Sequence, residues 1–470
     1  MMRLCRFFSR IIVVIAGLGI LPYRLFAADA KIDPGSTYQT IEGFGASIAW
    51  YDNWLPAHPY RGEIYDLIFN DLGLDILRLR NAYRYQSGNF CRDIQTIVQQ
   101  AGKVMGHPPR ILMSSWSPPA DLKSNGKVED GGTLAKKDGQ YMYEEFADYW
   151  MDALAAYEAL GIVPTYISIQ NEPSFKADWE SCVFKETETA DYAGYDKALK
   201  AVYDKLQHLP SPPRILAPEV LGIGYSLFQT FSRKMNPDYF YGYAHHLYHG
   251  GDENNPDSFK GNMSAIAKEF DDKPIFQTEY DRGDWFNTAW IMHNSLVFEG
   301  VAGYLYWGLI WGGGGLVNLE NPWNSGSWTT DHGYIISDAY WAFRQYAAFI
   351  DYGWKRIKTE TDSPSLRISA YRAADGDSLT VVILNVAAAE AEINLSVADF
   401  ETGSGRLVQT SAERKGEELG EFIPGNSLKL AGKSITTISL TGTMNTRVAD
   451  ESTTIPTSIS IDQNYPNPFN

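Results

Sequence analysis

Two glutamates in this sequence each follow an apolar run, and such a pair could cut a glycosidic bond. Glu172 follows the run 166–170 within an Asn-Glu-Pro tripeptide, and Glu279 follows the run 274–278. In a retaining pair, about 5–5.5 Å apart, one carboxylate attacks the anomeric carbon while the other first donates and then accepts a proton. Asn171, just before the first glutamate, could hydrogen-bond a sugar hydroxyl beside the scissile bond.

The segments that would position these glutamates alternate between strand-like and helix-like patterns. Apolar or β-branched runs predict strands at residues 41–50, 76–80, 110–114, 166–170, 214–218, 241–248, 274–278 and 303–308. Amphipathic segments predict helices, most clearly at 141–160, and also at 61–70, 91–103, 191–206, 263–270, 285–299 and 337–350. This alternation predicts an α/β fold, a (β/α)8 TIM barrel, whose active site lies at the carboxyl ends of the strands. The rival doubly wound sheet is disfavoured because residues 43–48 lack its Gly-rich phosphate turn.

A second domain is indicated where the pattern changes after the barrel, which we place at residues 36–351. Short strand candidates broken by turns lie at 366–371, 378–385, 391–397, 406–410, 427–430 and 434–440. They predict a small antiparallel β-sandwich side domain over residues 352–442. We expect the N-terminal segment 31–41 to add a strand to it.

Both ends of the chain carry targeting features. Residues 1–29 indicate a signal peptide, because arginines precede an apolar run at 11–21 that is too short for a membrane anchor. We therefore expect a secreted bacterial protein, extracellular or attached to the cell surface, with no membrane span in its mature form. Residues 443–460 indicate a linker, and 461–470 resemble the start of a truncated type IX secretion sorting domain.

Composition narrows the possible partners. The net charge is −17, which argues against nucleic acid as a partner. Aromatic residues make up 14% of the chain, as expected for a large core or for a groove that stacks sugars. Cys91 and Cys182 could form one disulfide or remain as thiols. No Cys/His cluster has zinc-site spacing, so we expect no metal and no cofactor, and we expect a monomer.

Four further motifs accompany the glutamates in a fixed order. They are Gly43-Phe44-Gly45-Ala46, Leu77-Arg78-Leu79-Arg80, Ser115-Trp116-Ser117-Pro118-Pro119 and His246-Leu247-Tyr248. Together with the trailing β domain, they make residues 36–442 resemble glycoside hydrolase family 30, in its xylanase-type, glucuronoxylanase-like branch. The resemblance implies the barrel fold with a β side domain and a retaining glycosidase activity on xylan.

The resemblance also implies roles for the polar residues that match. Glu172 corresponds to the acid/base and Glu279 to the nucleophile. Arg78 corresponds to a cation that keeps the nucleophile ionised through a charge-assisted hydrogen bond. Tyr248 corresponds to a phenol that hydrogen-bonds the same carboxylate. His246 is either a binding residue or a core histidine with satisfied hydrogen bonds.

Aromatic residues near the strand ends are expected to bind sugar. Trp116 and Trp307 correspond to platforms for the sugar in the −1 region. Trp311, Trp323 and Trp328 lie in or near the segment Gly312–Gly315 and are either further stacking positions or residues that pack a long loop. These glycines should be mobile or should let the backbone approach the sugar closely.

One departure from the family pattern bears on specificity. Glucuronate-dependent members carry an arginine just after the eighth strand, where it pairs with the acid substituent, whereas residues 306–315 here contain no cation. An unpaired carboxylate in that pocket would lose roughly 2–5 kcal/mol. We therefore predict no dependence on glucuronic acid branches. Arg282 could compensate, but a solvent-exposed charge is the favoured interpretation.

The resulting prediction is a secreted retaining glycosidase that cleaves β-1,4-xylosidic bonds in xylan. Two alternatives keep the same fold: an exo-acting xylobiohydrolase, if segment 82–90 or 117–140 blocks the groove, and a β-glucan or β-galactan hydrolase. A non-catalytic carbohydrate-binding barrel is the alternative from another class, and the presence of both glutamates argues against it.

Overall fold

The computed structural model describes residues 27–85 and 88–445. The predicted signal peptide up to residue 26, the predicted linker from residue 446 and the predicted sorting segment 461–470 lie outside the described residues. Within those ranges, no helix combines the length and the apolar character that crossing a membrane requires.

The strands alternate with helices through the first two thirds of the chain and dominate the last third. In chain order, the strands are β1 (Ala28–Thr40), β2 (Gly43–Ser47), β3 (Ile76–Arg80), β4 (Arg110–Ser114), β5 (Lys136–Lys137), β6 (Gln140–Tyr141), β7 (Tyr166–Ser168), β8 (Arg214–Val220), β9 (Gly242–His246), β10 (Ile275–Glu279), β11 (Gly303–Gly308), β12 (Ile310–Trp311), β13 (Val317–Leu319), β14 (Tyr334–Ile336), β15 (Lys355–Thr361), β16 (Leu366–Arg372), β17 (Ser378–Asn385), β18 (Ala391–Val397), β19 (Phe400–Thr410), β20 (Glu417–Glu421), β21 (Leu428–Leu430) and β22 (Ser434–Met444).

The α-helices follow the barrel strands, and all except Trp54–Ala57 and Leu227–Ser232 overlap segments where amphipathic patterns predict helices. They are α1 (Trp54–Ala57), α2 (Arg61–Asp66), α3 (Gly88–Met105), α4 (Tyr143–Glu158), α5 (Tyr195–Leu206), α6 (Leu227–Ser232), α7 (Lys260–Glu269), α8 (Trp285–Asn294) and α9 (Asp338–Ala347). Two of them begin with a side-chain cap, since Asp284 accepts a bond from the Asn287 amide and Ser337 from the Tyr340 amide. Single π-helical turns, Leu67–Asp71 and Ser295–Glu299, extend α2 and α8.

Eight parallel strands close into a barrel in the order β2, β3, β4, β7, β8, β9, β10 and β11, and β11 pairs back to β2. The predicted (β/α)8 fold is therefore confirmed. The barrel interior is packed, with a layer of apolar side chains that includes Leu112, Phe276 and Leu305. A Cβ on Gly45 would lie 2.4 Å from the Ile76 carbonyl oxygen, so only glycine fits there. Because the interior is filled, a ligand site must lie at the barrel mouth.

The side domain is a nine-stranded sheet in the order β20-β19-β22-β17-β16-β15-β1-β18-β21. Side chains from both ends of this sheet, such as Leu407 and Leu430, share one core, so the sheet folds over itself. The predicted β side domain is confirmed, although β15 and β20 were not predicted. β1 extends past residue 36, the predicted start of the barrel domain. Its last residue, Thr40, still pairs with Lys355 of the side domain. The barrel sheet itself begins at β2.

Candidate active site

Arg78, on the second barrel strand, forms the centre of a buried polar network. Its Nη1 donates to Glu279 Oε2 at 2.6 Å, and its Nη2 lies 2.6 Å from Asn171 Oδ1 and 3.0 Å from Glu219 Oε1. Its Nε donates to Ser114 Oγ at 3.3 Å. The guanidinium is fully buried, so these bonds are shielded from water and hold the side chains around it in one arrangement.

Glu172, just beyond the fourth barrel strand, faces Glu279, the last residue of the seventh. One oxygen of each carboxylate and a ring nitrogen of His246 lie within 4.8 Å of one another. His246 Nδ1 is 2.9 Å from Glu172 Oε1 and 3.7 Å from Glu279 Oε1, and the Tyr248 hydroxyl donates to Glu279 Oε1 at 3.1 Å. This spacing suits two carboxylates that act on opposite sides of one glycosidic bond.

The charges of this cluster are set by burial and by mutual contact. Burial raises the pKa of the Glu279 carboxyl above its usual range, and the charges of His246 and Arg78 oppose that rise. Burial alone would lower the pKa of His246, but the surrounding carboxylates, first among them Glu279, raise it to about 9. Burial alone would raise the pKa of Glu219, but Arg78 and His246 bring it down to about 2. Near neutral pH, His246 is therefore a cation and Glu219 an anion.

Two of the glutamates sit on strained backbone. Glu172 has φ 48° and Glu219 has φ 56°, in the left-handed region that side chains other than glycine rarely adopt. The amide of Glu172 donates to the carbonyl of Glu219 at 3.0 Å, so the two residues hold each other in place. Such conformations cost about 1–3 kcal/mol each and persist where the surrounding structure imposes them, commonly at functional sites.

A cavity of about 780 Å³ opens over the two glutamates. It is lined mostly by aromatic side chains together with a few polar ones, namely Trp50, Tyr51, Trp116, Glu172, Phe175, Trp179, Leu221, Tyr248, His249, Gly251, Glu253, Glu279, Tyr280, Arg282, Trp307 and Trp311. The rings of Trp116 and Trp307 are 6.0 Å apart, and the Arg78 guanidinium lies 4.7 Å from the Trp116 ring. Flat rings beside two carboxylates form a site suited to a sugar.

The predicted site residues come together, but in two layers. The cavity is lined by six of them: Glu172, Glu279, Trp116, Tyr248, Trp307 and Trp311. Asn171, Arg78 and His246 lie behind the carboxylates, almost completely buried, and do not line the cavity among the described residues. Asn171 uses its side-chain oxygen on Arg78, and its contact with a sugar hydroxyl stays a prediction. His246, left open from sequence, contacts Glu172.

Sequence reasoning missed Glu219 and Tyr51. Glu219 directly follows the predicted strand 214–218, just as Glu172 and Glu279 follow theirs, so the same pattern could have found it. The run 217–220, Ala-Pro-Glu-Val, matches no family motif, so the resemblance gives Glu219 no role. Tyr51 follows the first predicted strand and lines the cavity, but a lone tyrosine in a loop has no distinguishing pattern.

Three expectations left open by the sequence concern Arg282, the two cysteines and the glycines after β12. Arg282 lines the cavity, but its side chain is 66% exposed and its Nε lies 3.7 Å from Asp281 Oδ1, as a solvated charge would. Cys91 and Cys182 are both unpaired thiols, and burial raises the pKa of Cys182 to about 12. The glycines after β12 are close-packed at their two ends: a Cβ on Gly312 would meet the Pro322 ring at 2.6 Å.

Glu172, His246 and Glu279 are also the described residues whose donor atoms are close enough to hold a metal ion. Their chemistry does not suit one. His246 Nδ1 is bonded to Glu172 Oε1, and the two Glu279 oxygens accept bonds from Arg78 and Tyr248, so these donor atoms already have partners within the protein. That the site works without a metal or cofactor stays a prediction from the sequence.

The closed barrel with two facing glutamates at its mouth defines the class of protein as a (β/α)8 barrel. Within that class, residues 76–200 match the model of the glycosyl hydrolase family 30 TIM-barrel domain. The glucuronoxylanase XynC of Bacillus subtilis is 26% identical over 174 residues, 37% of this chain and 39% of that protein. The predicted resemblance to family 30 and its xylanase-type branch is confirmed.

Two further relatives show the breadth of the similarity. The endo-1,6-β-D-glucanase of Neurospora crassa is 28% identical over 169 residues, which cover 30% of this chain and 35% of the glucanase. The catalytic domain of the family 30 xylanase C from Talaromyces cellulolyticus superimposes with a TM-score of 0.70 at 19% identity, covering 88% of this chain and 100% of that domain. The chain thus spans well under half the length of these curated relatives, while the fold is shared over almost all of its own length.

Proposed function

We propose that this protein is a retaining glycoside hydrolase that cleaves β-1,4-xylosidic bonds in xylan. The observation that carries the proposal is the approach of Glu172 and Glu279 to within 4.8 Å, with a hydrogen bond to each oxygen of Glu279. The matched segment of the Bacillus subtilis glucuronoxylanase supports xylan as the substrate class.

In the proposed first step, Glu279 attacks the anomeric carbon, and the bond from that carbon to the leaving oxygen breaks. Arg78 holds Oε2 and Tyr248 holds Oε1, which keeps the carboxylate ionised and aimed despite its burial. Glu172 gives its proton to the leaving oxygen. His246 occupies Glu172 Oε1, so Oε2 is the oxygen that exchanges the proton.

In the second step, Glu172 takes a proton from water while the water oxygen attacks the same anomeric carbon, and Glu279 departs as a carboxylate. Two inversions give net retention. Trp116 and Trp307, whose rings are 6.0 Å apart in the cavity wall, would stack on the reacting sugar.

We further propose that cleavage does not depend on glucuronate branches. The loop 309–337 after the eighth strand contains no lysine or arginine, and Arg282 on the cavity wall is a largely exposed charge whose Nε lies 3.7 Å from Asp281 Oδ1. A carboxylate on the substrate would therefore meet Glu172, Glu253 and Glu279 without a dedicated partner. The placement of the protein outside the cell is proposed from residues 1–29 alone.

The test is hydrolysis of linear xylan, arabinoxylan, glucuronoxylan and mixed-linkage β-glucan by the purified protein, followed by product sizing and proton NMR of the new reducing ends. We expect β-configured xylo-oligosaccharides from every xylan, with lengths that do not follow the spacing of glucuronate. Glu279→Gln and Glu172→Gln are the inactive controls. α-Configured first products would exclude retention. Hydrolysis by both variants at the rate of the parent protein would exclude this site.

The Neurospora crassa relative supports one other substrate, a β-1,6-glucan, which belongs in the same assay. If glucose oligomers are released faster than xylose oligomers, the proposed substrate becomes a β-glucan, and the proposed mechanism is unchanged. The exo-acting alternative stays open: among the described residues, segment 117–140 does not line the cavity, and part of segment 82–90 lies outside them. A disaccharide as the sole product would support it.

A further inference from the structure

Four aromatic side chains form a cluster at the edge of the catalytic cavity, which we call the aromatic shelf: Tyr51, Trp54, Trp311 and Trp323. The ring of Tyr51 stacks on Trp54 at 4.3 Å and meets Trp311 at 5.2 Å and Trp323 at 5.1 Å. We propose that the aromatic shelf is a sugar-binding subsite that holds units of the glycan chain beyond those in the cavity.

The aromatic shelf is continuous with the catalytic cavity. Tyr51 and Trp311 belong to both, since both line the cavity wall. Trp311 lies 6.3 Å from Trp307, which in turn lies 6.0 Å from Trp116 beside the catalytic glutamates. A row of rings therefore leads from the reacting centre to the shelf, so a glycan that leaves the cavity on this side passes over Tyr51 and reaches Trp323.

Exposure sets Trp323 apart from an ordinary packing residue. It is 69% exposed, and Tyr51 is 38% exposed, whereas Trp54 beneath them is 4% exposed. A buried ring thus supports two rings that face solvent. Large apolar surface that stays in contact with water next to a ligand cavity is typical of a binding surface.

The chemistry of the aromatic shelf fits a neutral sugar. Its members carry no charge, and the loop 309–337 that contributes Trp311 and Trp323 has no lysine or arginine. The C–H face of a pyranose can stack on an indole without losing any of its hydroxyl contacts with water. An acidic substituent would find no cation on the aromatic shelf, which agrees with the proposed independence from glucuronate.

The loop that carries the aromatic shelf is held in place before any ligand binds. β12 pairs with β13 and β13 with β14, which ties both ends of the loop into a small sheet. A Cβ on Gly315 would lie 2.8 Å from Trp311 Cβ, and Asn318 Oδ1 accepts a bond from the Gly315 amide at 2.9 Å. Binding on such a fixed surface avoids the entropic cost of ordering a loop.

The inference rests on the proposed function for the identity of the ligand, a β-linked glycan, but its test is separable. Binding is measured by calorimetry in the Glu279→Gln background, with xylobiose and xylohexaose, before and after Trp323→Ala. We expect the affinity for xylohexaose to fall about tenfold, a moderate loss for one contact, and the affinity for xylobiose to fall far less. Trp323→Phe, which keeps a ring, should recover part of the loss.

Tyr352→Ala is the matched control, because Tyr352 is an aromatic residue with 42% exposure that stacks on Arg110, at the opposite end of the barrel. It should leave both affinities unchanged. Equal xylohexaose affinity with and without Trp323 would overturn the subsite, even if the parent enzyme hydrolyses xylan. Binding that depends on Trp323 in a protein that hydrolyses no glycan would support the subsite and count against the proposed function.

Discussion

The guanidinium of Arg78 reaches Glu279 with Nη1 at 2.6 Å and Glu219 with Nη2 at 3.0 Å, so one buried cation is shared between two buried carboxylates. Glu279 lines the cavity, whereas Glu219 is fully buried behind it. Burial would drive Glu279 toward its neutral form, which is a poor nucleophile, and Arg78 counters this. Glu219 in turn stabilises Arg78 in the position where it can do so.

Arg78→Lys should slow xylan hydrolysis strongly although it keeps the positive charge. The single nitrogen of an ammonium group cannot occupy the separate positions from which Nη1, Nη2 and Nε of Arg78 bond their partners, so the nucleophile loses alignment. We expect kcat to fall by about 10²-fold or more, on the scale seen when one charge-stabilising donor is removed, with a smaller change in KM. Arg92→Lys, an exposed change on α3, serves as the control. An unchanged kcat would refute the role of Arg78.

Glu172→Ala and Glu279→Ala should differ in how azide rescues them. Loss of the acid/base should lower kcat on xylan by about 10²–10⁴-fold, and less on aryl xylosides, whose leaving groups need no proton. Azide should then trap the glycosyl–enzyme of Glu172→Ala as a β-xylosyl azide. Without the nucleophile, azide attacks directly, and Glu279→Ala should yield the α-azide.

These two azide products, separated by NMR, decide the assignment of roles. Glu253→Ala removes another carboxylate of the cavity wall and should leave kcat near that of the parent. If the azide products were exchanged between the two variants, the roles of Glu172 and Glu279 would be reversed.

Glu219→Gln should destabilise the protein, because it leaves Arg78 buried with one carboxylate fewer. Breaking a buried ion pair from one side costs about 3–5 kcal/mol, measured as the free energy of unfolding in urea. The low pKa of Glu219, about 2 against 4.5, predicts stability that is complete above pH 4.5 and disappears as the pH falls toward 2. The variant should lack this acid-side loss. Glu158→Gln, at the exposed end of α4, is the control. Equal free energies of unfolding for the parent and Glu219→Gln would contradict the prediction.

His246 should produce the opposite dependence on pH. Its pKa is raised from 6.5 to about 9, so its contribution to stability is complete below pH 6.5 and is lost as the pH rises through 9. The shift corresponds to about 3 kcal/mol. Urea unfolding of the parent between pH 6.5 and 9.5 should show this decline, and His246→Asn should show little of it. His208→Asn, an exposed change, should decline like the parent, and a flat parent profile would argue against a protonated His246.

The sequence by itself determined the barrel and the placement of two glutamates at its mouth. Strand and helix periodicity are local properties, readable within a dozen residues, and eight alternating units leave few folds other than a closed parallel barrel. Because the active site of such a barrel lies at the strand ends, a glutamate after strand four and another after strand seven already predict a facing pair. The side domain was likewise visible from its short strands and turns.

Only the tertiary structure decided how these residues support one another. Arg78 and Glu279 are 201 residues apart, and barrel closure, which no local pattern records, brings them to 2.6 Å. The same closure recruits Glu219 and turns His246 into a cation among carboxylates. It also joins Tyr51 and Trp323, from opposite ends of the barrel sequence, into the aromatic shelf. These contacts join residues that are far apart along the chain. Their proximity arises only when the chain folds, so no local sequence pattern reports it.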